Sequence, residues 1–330
     1  MKLNTSLLFI AFILIIFGCN SSEEIRNQKV KNIILIIGNS SRMNGDKVGT
    51  LVNQKKSNIE RASVAGFSKT YQAKNSGTVR NSVPTVLAIG KEGNNKTLGL
   101  DADGIAYPNL IELASVKGLS TGLITTGSAT DVLPASFIVH TIDRTQIESV
   151  TAEYLNSPID LFIGGGLQYF TDRKYSTNLI QRLKNKGYLV CHEIENATQS
   201  GKLMLITNDN QLKSTQIIGS QLLLKSTNLA LQSLSSAKNG FFLIIDGCLP
   251  DAGNGEKRVV DQNNAIMVFD QSVGIAFDFA DKNPGTLVVV TTDLLESVYA
   301  YGISAQTFEG SYENSEIFSK MVTLLSLAVQ

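Results

Sequence analysis

Carboxylates and amides recur at the ends of apolar runs in this 330-residue chain. Asn39 follows the run Val30–Ile37, Asp246 and Asp251 follow Phe241–Ile245, and Asp293 follows Leu287–Val290. Asp131 and Arg144 trail the run Thr121–Ile124 at longer range. If these runs are strands of one parallel sheet, a ligand belongs beyond their carboxyl ends. Several carboxylates gathered there are the makings of a metal site. Turns and helix caps use the same residue types, so spacing alone leaves both readings open. Ser82 is a second candidate. Pro84 and the apolar stretch Val86–Ile89 describe a helix start with Asn81 or Ser82 as its cap. A hydroxyl there faces the positive end of a helix, where a phosphate can be held. As an ordinary cap it would have no chemistry to do.

Histidine is scarce. His140 and His192 are the only two, which nearly excludes an imidazole-rich zinc site. Each reads as a packed or surface residue beside an apolar strand. Basic and acidic residues balance at 29 each, so no general field draws the chain to nucleic acid. Hydrophobic residues make up 43%, enough for a substantial core.

The elements that must position these residues alternate. Continuous apolar runs at Val30–Ile37, Thr121–Ile124, Asp160–Ile163, Phe241–Ile245 and Leu287–Val290 suit parallel strands buried on both faces. Tyr188–Val190 and Leu203–Ile206 are weaker strand candidates. Helical spacing fills the intervals at Asn109–Lys117, Thr177–Lys186, Gln221–Lys238, Asp261–Asp281 and Ser315–Val329. Strands alternating with helices predict an α/β fold with a mostly parallel sheet. No linker-like stretch follows residue 30, so residues 31–330 are expected to form a single domain.

The amino-terminal segment reads as an address. Lys2 precedes the apolar run Leu7–Phe17, which is too short to span a bilayer comfortably and suits a signal sequence. Gly18-Cys19 resembles a bacterial lipobox, with residues 1–18 removed and Cys19 lipidated. Residues 19–30 then form a polar linker, and the expected location is the bacterial cell envelope, anchored to the outer membrane. An oxidising envelope permits a disulfide, but Cys191 and Cys248 read as two separate buried thiols.

Seven segments, in order along residues 31–318, resemble the alkaline phosphatase family. Lys31–Gly38 is similar to its opening strand, and Lys69-Thr70-Tyr71 with Thr78–Gly90 to its nucleophile segment. Gly99–Thr126 resembles a helix–strand unit almost word for word. Asp160–Phe170, Gly240–Gly247, Gly285–Asp293 and Ala300–Phe318 are further likenesses. The resemblance implies a three-layer sandwich, with a central, mostly parallel sheet and helices on both faces. It implies hydrolysis of phosphate monoesters through a phosphoserine, with two zinc ions and one magnesium as cofactors, and often a homodimer.

Carried over position by position, the resemblance divides. Ser82 takes the nucleophile position and Arg144, in VHTIDR, that of the phosphate-binding arginine. Asp131 and Asp246 match magnesium-site carboxylates, the latter where the family has Glu. Asp251 and Asp293 match zinc-binding aspartates. Against these, Asn39 replaces the bridging metal aspartate, Asn81 the aspartate before the nucleophile, and Leu133 the magnesium-site hydroxyl. Leu294 and Gly255 replace two zinc histidines, and the segment bearing the third is missing, since Asp293 leads almost directly into Val298–Gly302. Oxygen ligands alone suit Mg, Ca or Mn better than Zn. The expected protein is therefore inactive or weakly active, with a single magnesium site from Asp131, Asp246 and Asn39 and with phosphate or a phosphorylated small molecule held by Ser82 and Arg144. An active phosphatase with a rearranged Mg or Mn site, and an envelope binding protein for a phosphorylated ligand or a protein partner, remain open alternatives.

Overall fold

The computed structural model describes residues 29–38, 57–69, 83–172, 178–198, 201–208, 217–247, 256–292 and 296–327. Its first strand, β1 (Asn32–Ile37, NIILII), is buried at every position. A run with no polar face needs cover on both sides, and the sheet supplies it. β1 pairs in parallel with β7 (Phe241–Asp246) and with β8 (Thr286–Thr292), placing Ile37 beside both Asp246 and Thr291. β7 continues in parallel to β3 (Ser120–Ser128), with Thr125 beside Asp246. Beyond β3 lie β4 (Leu161–Gly165), β6 (Leu203–Ile206) and the edge strand β5 (Leu189–Cys191), all parallel. On the other side β9 (Ser297–Gly302) runs antiparallel to β8 and to β2 (Val64–Lys69), which pairs with β10 (Gly310–Glu313). The order is β10-β2-β9-β8-β1-β7-β3-β4-β6-β5, mostly parallel as the alternating pattern predicts.

Two apolar layers sandwich the sheet. One contains Ile33, Leu35, Phe242, Ile244 and Val289, with side chains from α1 (Val83–Ile89), α2 (Leu110–Val116), α3 (Val132–Ser136) and α4 (Ile147–Glu153). The short helices α5 (Leu167–Thr171) and α6 (Leu179–Asn185) add Phe170, Leu179 and Leu183 to it. The other contains Ile34, Ile36, Leu243, Ile245 and Val290, covered by α7 (Ile217–Leu234) and α8 (Glu256–Lys282). The closing helix α9 (Asn314–Leu324) returns to the first layer through Ile317 and Met321.

Three expectations need correction. β3 reaches Ser128, past the apolar run that marked it, because pairing with β7 and β4 carries the strand through its polar tail. β2, β9 and β10 are only partly buried, so no continuous apolar run announced them. The last helix stops at Leu324, earlier than its apolar spacing implies, and Leu327 N–H turns back to the Val322 carbonyl so that Leu327 is buried. Cys191 is a buried free thiol; Cys248 lies outside the described residues. Among the described residues no helix is long and apolar enough to cross a membrane.

The junction before β7 has little tolerance. Gly240 has φ +94°, and a Cβ there would lie 2.0 Å from the Lys31 carbonyl oxygen ahead of β1. Gly240→Ala is expected to cost about 1–3 kcal/mol or more, from left-handed strain plus the backbone clash. Urea denaturation would show it; an unchanged midpoint would refute this reading of the junction.

Candidate functional site

Four strands bring their carboxyl ends together: β8, β1, β7 and β3. Asp246 ends β7 and is 1% exposed. Thr125 Oγ1 donates to its Oδ2 at 2.7 Å, and the Thr125 hydroxyl in turn accepts from Gly127 N–H at 2.9 Å. Oδ1 of Asp246 has no hydrogen-bond partner among the described residues, nor do the buried hydroxyls of Thr291 and Thr292 at the end of β8. Burial is the main force on this carboxyl. The Thr125 hydrogen bond opposes it, the nearby Asp131 carboxylate adds to it, and the group is pushed up to about 7.

Asp131 stands on the segment that follows β3. It occupies the N-cap position of α3 but does not cap that helix with its side chain. Its Oδ2 accepts instead from Ser128 N–H at 2.8 Å, and Asp131 N–H returns to the Ser128 carbonyl at 3.0 Å. A Cβ on Gly127 would lie 2.2 Å from that same oxygen, so only glycine admits the carboxylate here. The simple capping reading of Asp131 therefore fails. The carboxylate folds back toward the sheet, close enough to Asp246 to perturb it.

The backbone prepares the neighbouring positions. Gly38 N–H bonds the Thr291 carbonyl at 2.8 Å and Gly247 N–H bonds the Ile37 carbonyl at 2.9 Å, fixing the chain just before Asn39 and just after Asp246. α1 begins at Val83, immediately after Ser82, as the Pro84 signal predicts. It meets α3 where Thr85 Oγ1 lies 3.5 Å from Ser136 Oγ. The helix that follows Ser82 is thus tied to the helix that follows Asp131. Asn39, Ser82, Asp251, Asp293 and Cys19 themselves lie outside the described residues.

Arg144 is half-buried, and its guanidinium makes no hydrogen bond or ion pair among the described residues. Its backbone is held firmly. Leu98 and Thr141 exchange two backbone hydrogen bonds of 2.9 Å, and Arg144 N–H bonds the Lys96 carbonyl at 2.9 Å. Asp143 accepts from Thr145 N–H, Thr145 Oγ1 and Gln146 Nε2, which shapes the turn into α4 and holds its carboxyl below the usual range.

Both histidines are committed elsewhere. His140 Nδ1 lies 2.7 Å from the Gly99 carbonyl and Nε2 lies 3.1 and 3.2 Å from the two Glu112 carboxylate oxygens. His192 follows the edge strand β5, with Nδ1 2.9 Å from the Ile206 carbonyl, and β6, β4 and β3 separate β5 from β7. Among the described residues no three His, Cys, Asp or Glu gather as metal ligands. The donors that do gather are the oxygens of Asp246, Thr125 and Asp131. They fit a hard cation such as Mg²⁺ and do not fit zinc held by imidazole. The sequence singles out Asp131, Asp246 and Arg144, but not Thr125, Gly127 or the Glu112 clasp. The polar Thr125-Thr126-Gly127-Ser128 tail of an apolar strand was the available signal for the first two.

The alkaline phosphatase family model matches residues 30–298. Alkaline phosphatase 3 of Bacillus subtilis is 29% identical over 301 residues, covering 83% of this chain; the chain spans only 63% of that relative's length. Among solved structures, the alkaline phosphatase of the Antarctic bacterium TAB5 superposes with a TM-score of 0.82 at 26% identity, covering 90% of this chain and 99% of that one. A variant of the TAB5 protein, matched equally well at TM-score 0.82 and 26% identity over 91% of this chain and 99% of that one, was solved with magnesium bound.

The Asp246 shift has a measurable consequence. A folded carboxyl near 7 against about 3.9 unfolded binds an extra proton between those values. Stability therefore falls as pH rises through that window and levels off above it, by a few kcal/mol at roughly 1.4 kcal/mol per unit. Asp246→Asn is expected to flatten this decline, measured by urea denaturation in EDTA from pH 4 to 8. An identical pH slope in both proteins would count against the buried, proton-holding carboxyl.

Proposed function

The chain belongs to the alkaline phosphatase family, and on that premise we propose that it is a phosphate-recognising member whose zinc chemistry is lost or greatly reduced. The observation that carries this reading is the fate of the histidines. The chain has two, and both ring systems are engaged away from the converging strand ends. Residues Leu133, Leu294 and Gly255 supply no replacement ligand.

In this reading Arg144 recognises the phosphate, since a guanidinium offers paired donors to two phosphate oxygens. Ser82 keeps a hydroxyl at the amino-terminal side of α1 but lacks an activating base, and an unactivated serine is a weak nucleophile. A bound divalent cation would lower the pKa of a hydroxyl or water. Asp246, Thr125 and Asp131 are the residues that would hold one magnesium-like ion, and the family likeness adds Asn39 to them. Asp251 and Asp293 remain as two further carboxylates without their histidine partners. Slow phosphatase action through a single Mg or Mn is the second reading, supported by that oxygen-only set. The likeness of Gly18-Cys19 to a lipobox supports attachment to the envelope membrane, and Ser82 with Arg144 supports a phosphorylated small molecule as ligand. Self-association into a dimer is carried only by the family likeness.

The test is turnover of p-nitrophenyl phosphate with added zinc and magnesium, together with calorimetric titration of inorganic phosphate. Turnover is expected to lie about a thousandfold or more below that of a zinc-loaded relative assayed alongside, given several lost catalytic groups. Phosphate is expected to bind wild type and not Arg144→Ala. Robust turnover that disappears in Ser82→Ala would overturn the proposal.

A further inference from the structure

His140 is four residues from Arg144 and lies in none of the groups that converge at the strand ends. Its ring is nevertheless gripped from both sides. The Gly99 carbonyl can only accept, so Nδ1 carries a proton toward it across 2.7 Å. Nε2 faces the Glu112 carboxylate, and donates to it only when the ring is an imidazolium. Glu112 is itself anchored: its Oε2 accepts Asn109 N–H at 2.9 Å, and its own N–H bonds Asn109 Oδ1 at 3.0 Å, the reciprocal cap of α2. The buried residues Leu110, Ile111, Leu113 and Ala114 hold α2 against the core.

The grip is transmitted directly to the arginine. Residues 96–99 and 140–144 lie side by side, joined by the Leu98–Thr141 bridge and by Arg144 N–H to the Lys96 carbonyl. Gly99 sits at one end of this pairing and cannot be replaced, since φ is +64° and a Cβ would lie 2.3 Å from the Val139 carbonyl. His140 thus ties the Arg144 segment to Gly99 on one side and to the cap of α2 on the other. The charged groups facing the ring are Glu112 on α2 and Glu153 on α4, both anionic. They and the Gly99 hydrogen bond raise its pKa against burial, the Glu112 hydrogen bond most of all.

We infer that His140 is a positioning residue for Arg144, and that protonating its ring tightens anion binding at that arginine. The inference rests on the reading of Arg144 as an anion-binding residue. Because the folded pKa is raised, the clasp is complete below about 6.5, the unfolded histidine value, and is lost as pH rises through the folded value. Linkage is reciprocal, so an anion bound at Arg144 must raise the His140 pKa.

The experiment uses the full-length chain and sulfate, whose charge is fixed across the window. Sulfate affinity is measured by calorimetry from pH 5.5 to 8.5, and the His140 ring is titrated by NMR with and without saturating sulfate. Affinity is expected to fall roughly fivefold or more across the window, and the His140 pKa to rise in sulfate. Glu112→Gln, which keeps an α2 capping side chain, is expected to remove the pH dependence while still binding sulfate. Amide exchange at Thr141 and Arg144 is expected to accelerate, beyond its intrinsic pH trend, as the ring deprotonates. A direct pull of the imidazolium on the anion would leave that exchange unchanged. Arg144-dependent sulfate binding with no shift in the His140 pKa overturns the positioning role alone. Sulfate binding unaffected by Arg144→Ala, or absent at every pH, overturns the reading of Arg144 and the inference with it.

Discussion

The hydrogen bond from Thr125 to the buried Asp246 carboxyl is the interaction around which the candidate site is arranged. A carboxyl shut away from water resists ionisation, and one hydroxyl partner is meagre compensation. The arrangement persists because the register of β3, β7, β1 and β8 leaves it no alternative. Ile37 is aligned with Asp246 and Thr291, and Asp246 with Thr125. Apolar packing on both faces holds these strands in the sheet, and their parallel pairing aligns the polar groups at their ends. The core thus sets the positions of the polar groups, and the cost of burying them is carried by the surrounding packing.

That arrangement holds the family scaffold through packing and backbone pairing. The strand ends, the α1–α3 contact and the Arg144 segment are held by hydrophobic layers and backbone hydrogen bonds. The same frame presents oxygen donors at one place and an arginine without an ion-pair partner among the described residues at another.

Much of the fold is legible in the sequence because its central strands have no polar face. Runs such as Val30–Ile37 and Phe241–Ile245 suit interior parallel strands buried on both faces, and Asp246 follows the second of them. The peripheral strands were not legible. Val64–Lys69 (VAGFSK) has neither a continuous apolar run nor a clean apolar–polar alternation, and it contains Gly66 and an exposed Phe67, so its pattern does not announce a strand. Within the site, Asp131 and Asp246 were legible as polar residues after apolar runs, and Arg144 through family likeness. The polar tail Thr125-Thr126-Gly127-Ser128 marks a strand end, but that Thr125 meets Asp246 follows only from the pairing of β3 with β7. The link from His140 to Glu112 spans 28 residues, and no local pattern encodes it.

The account turns on zinc. Metal content of the full-length chain, saturated with zinc, freed of excess by dialysis and measured by atomic emission, tests it most directly. The account predicts well under one retained zinc per chain, because carboxylate, amide and hydroxyl oxygens alone hold zinc poorly. Two tightly retained zinc ions per chain would contradict it.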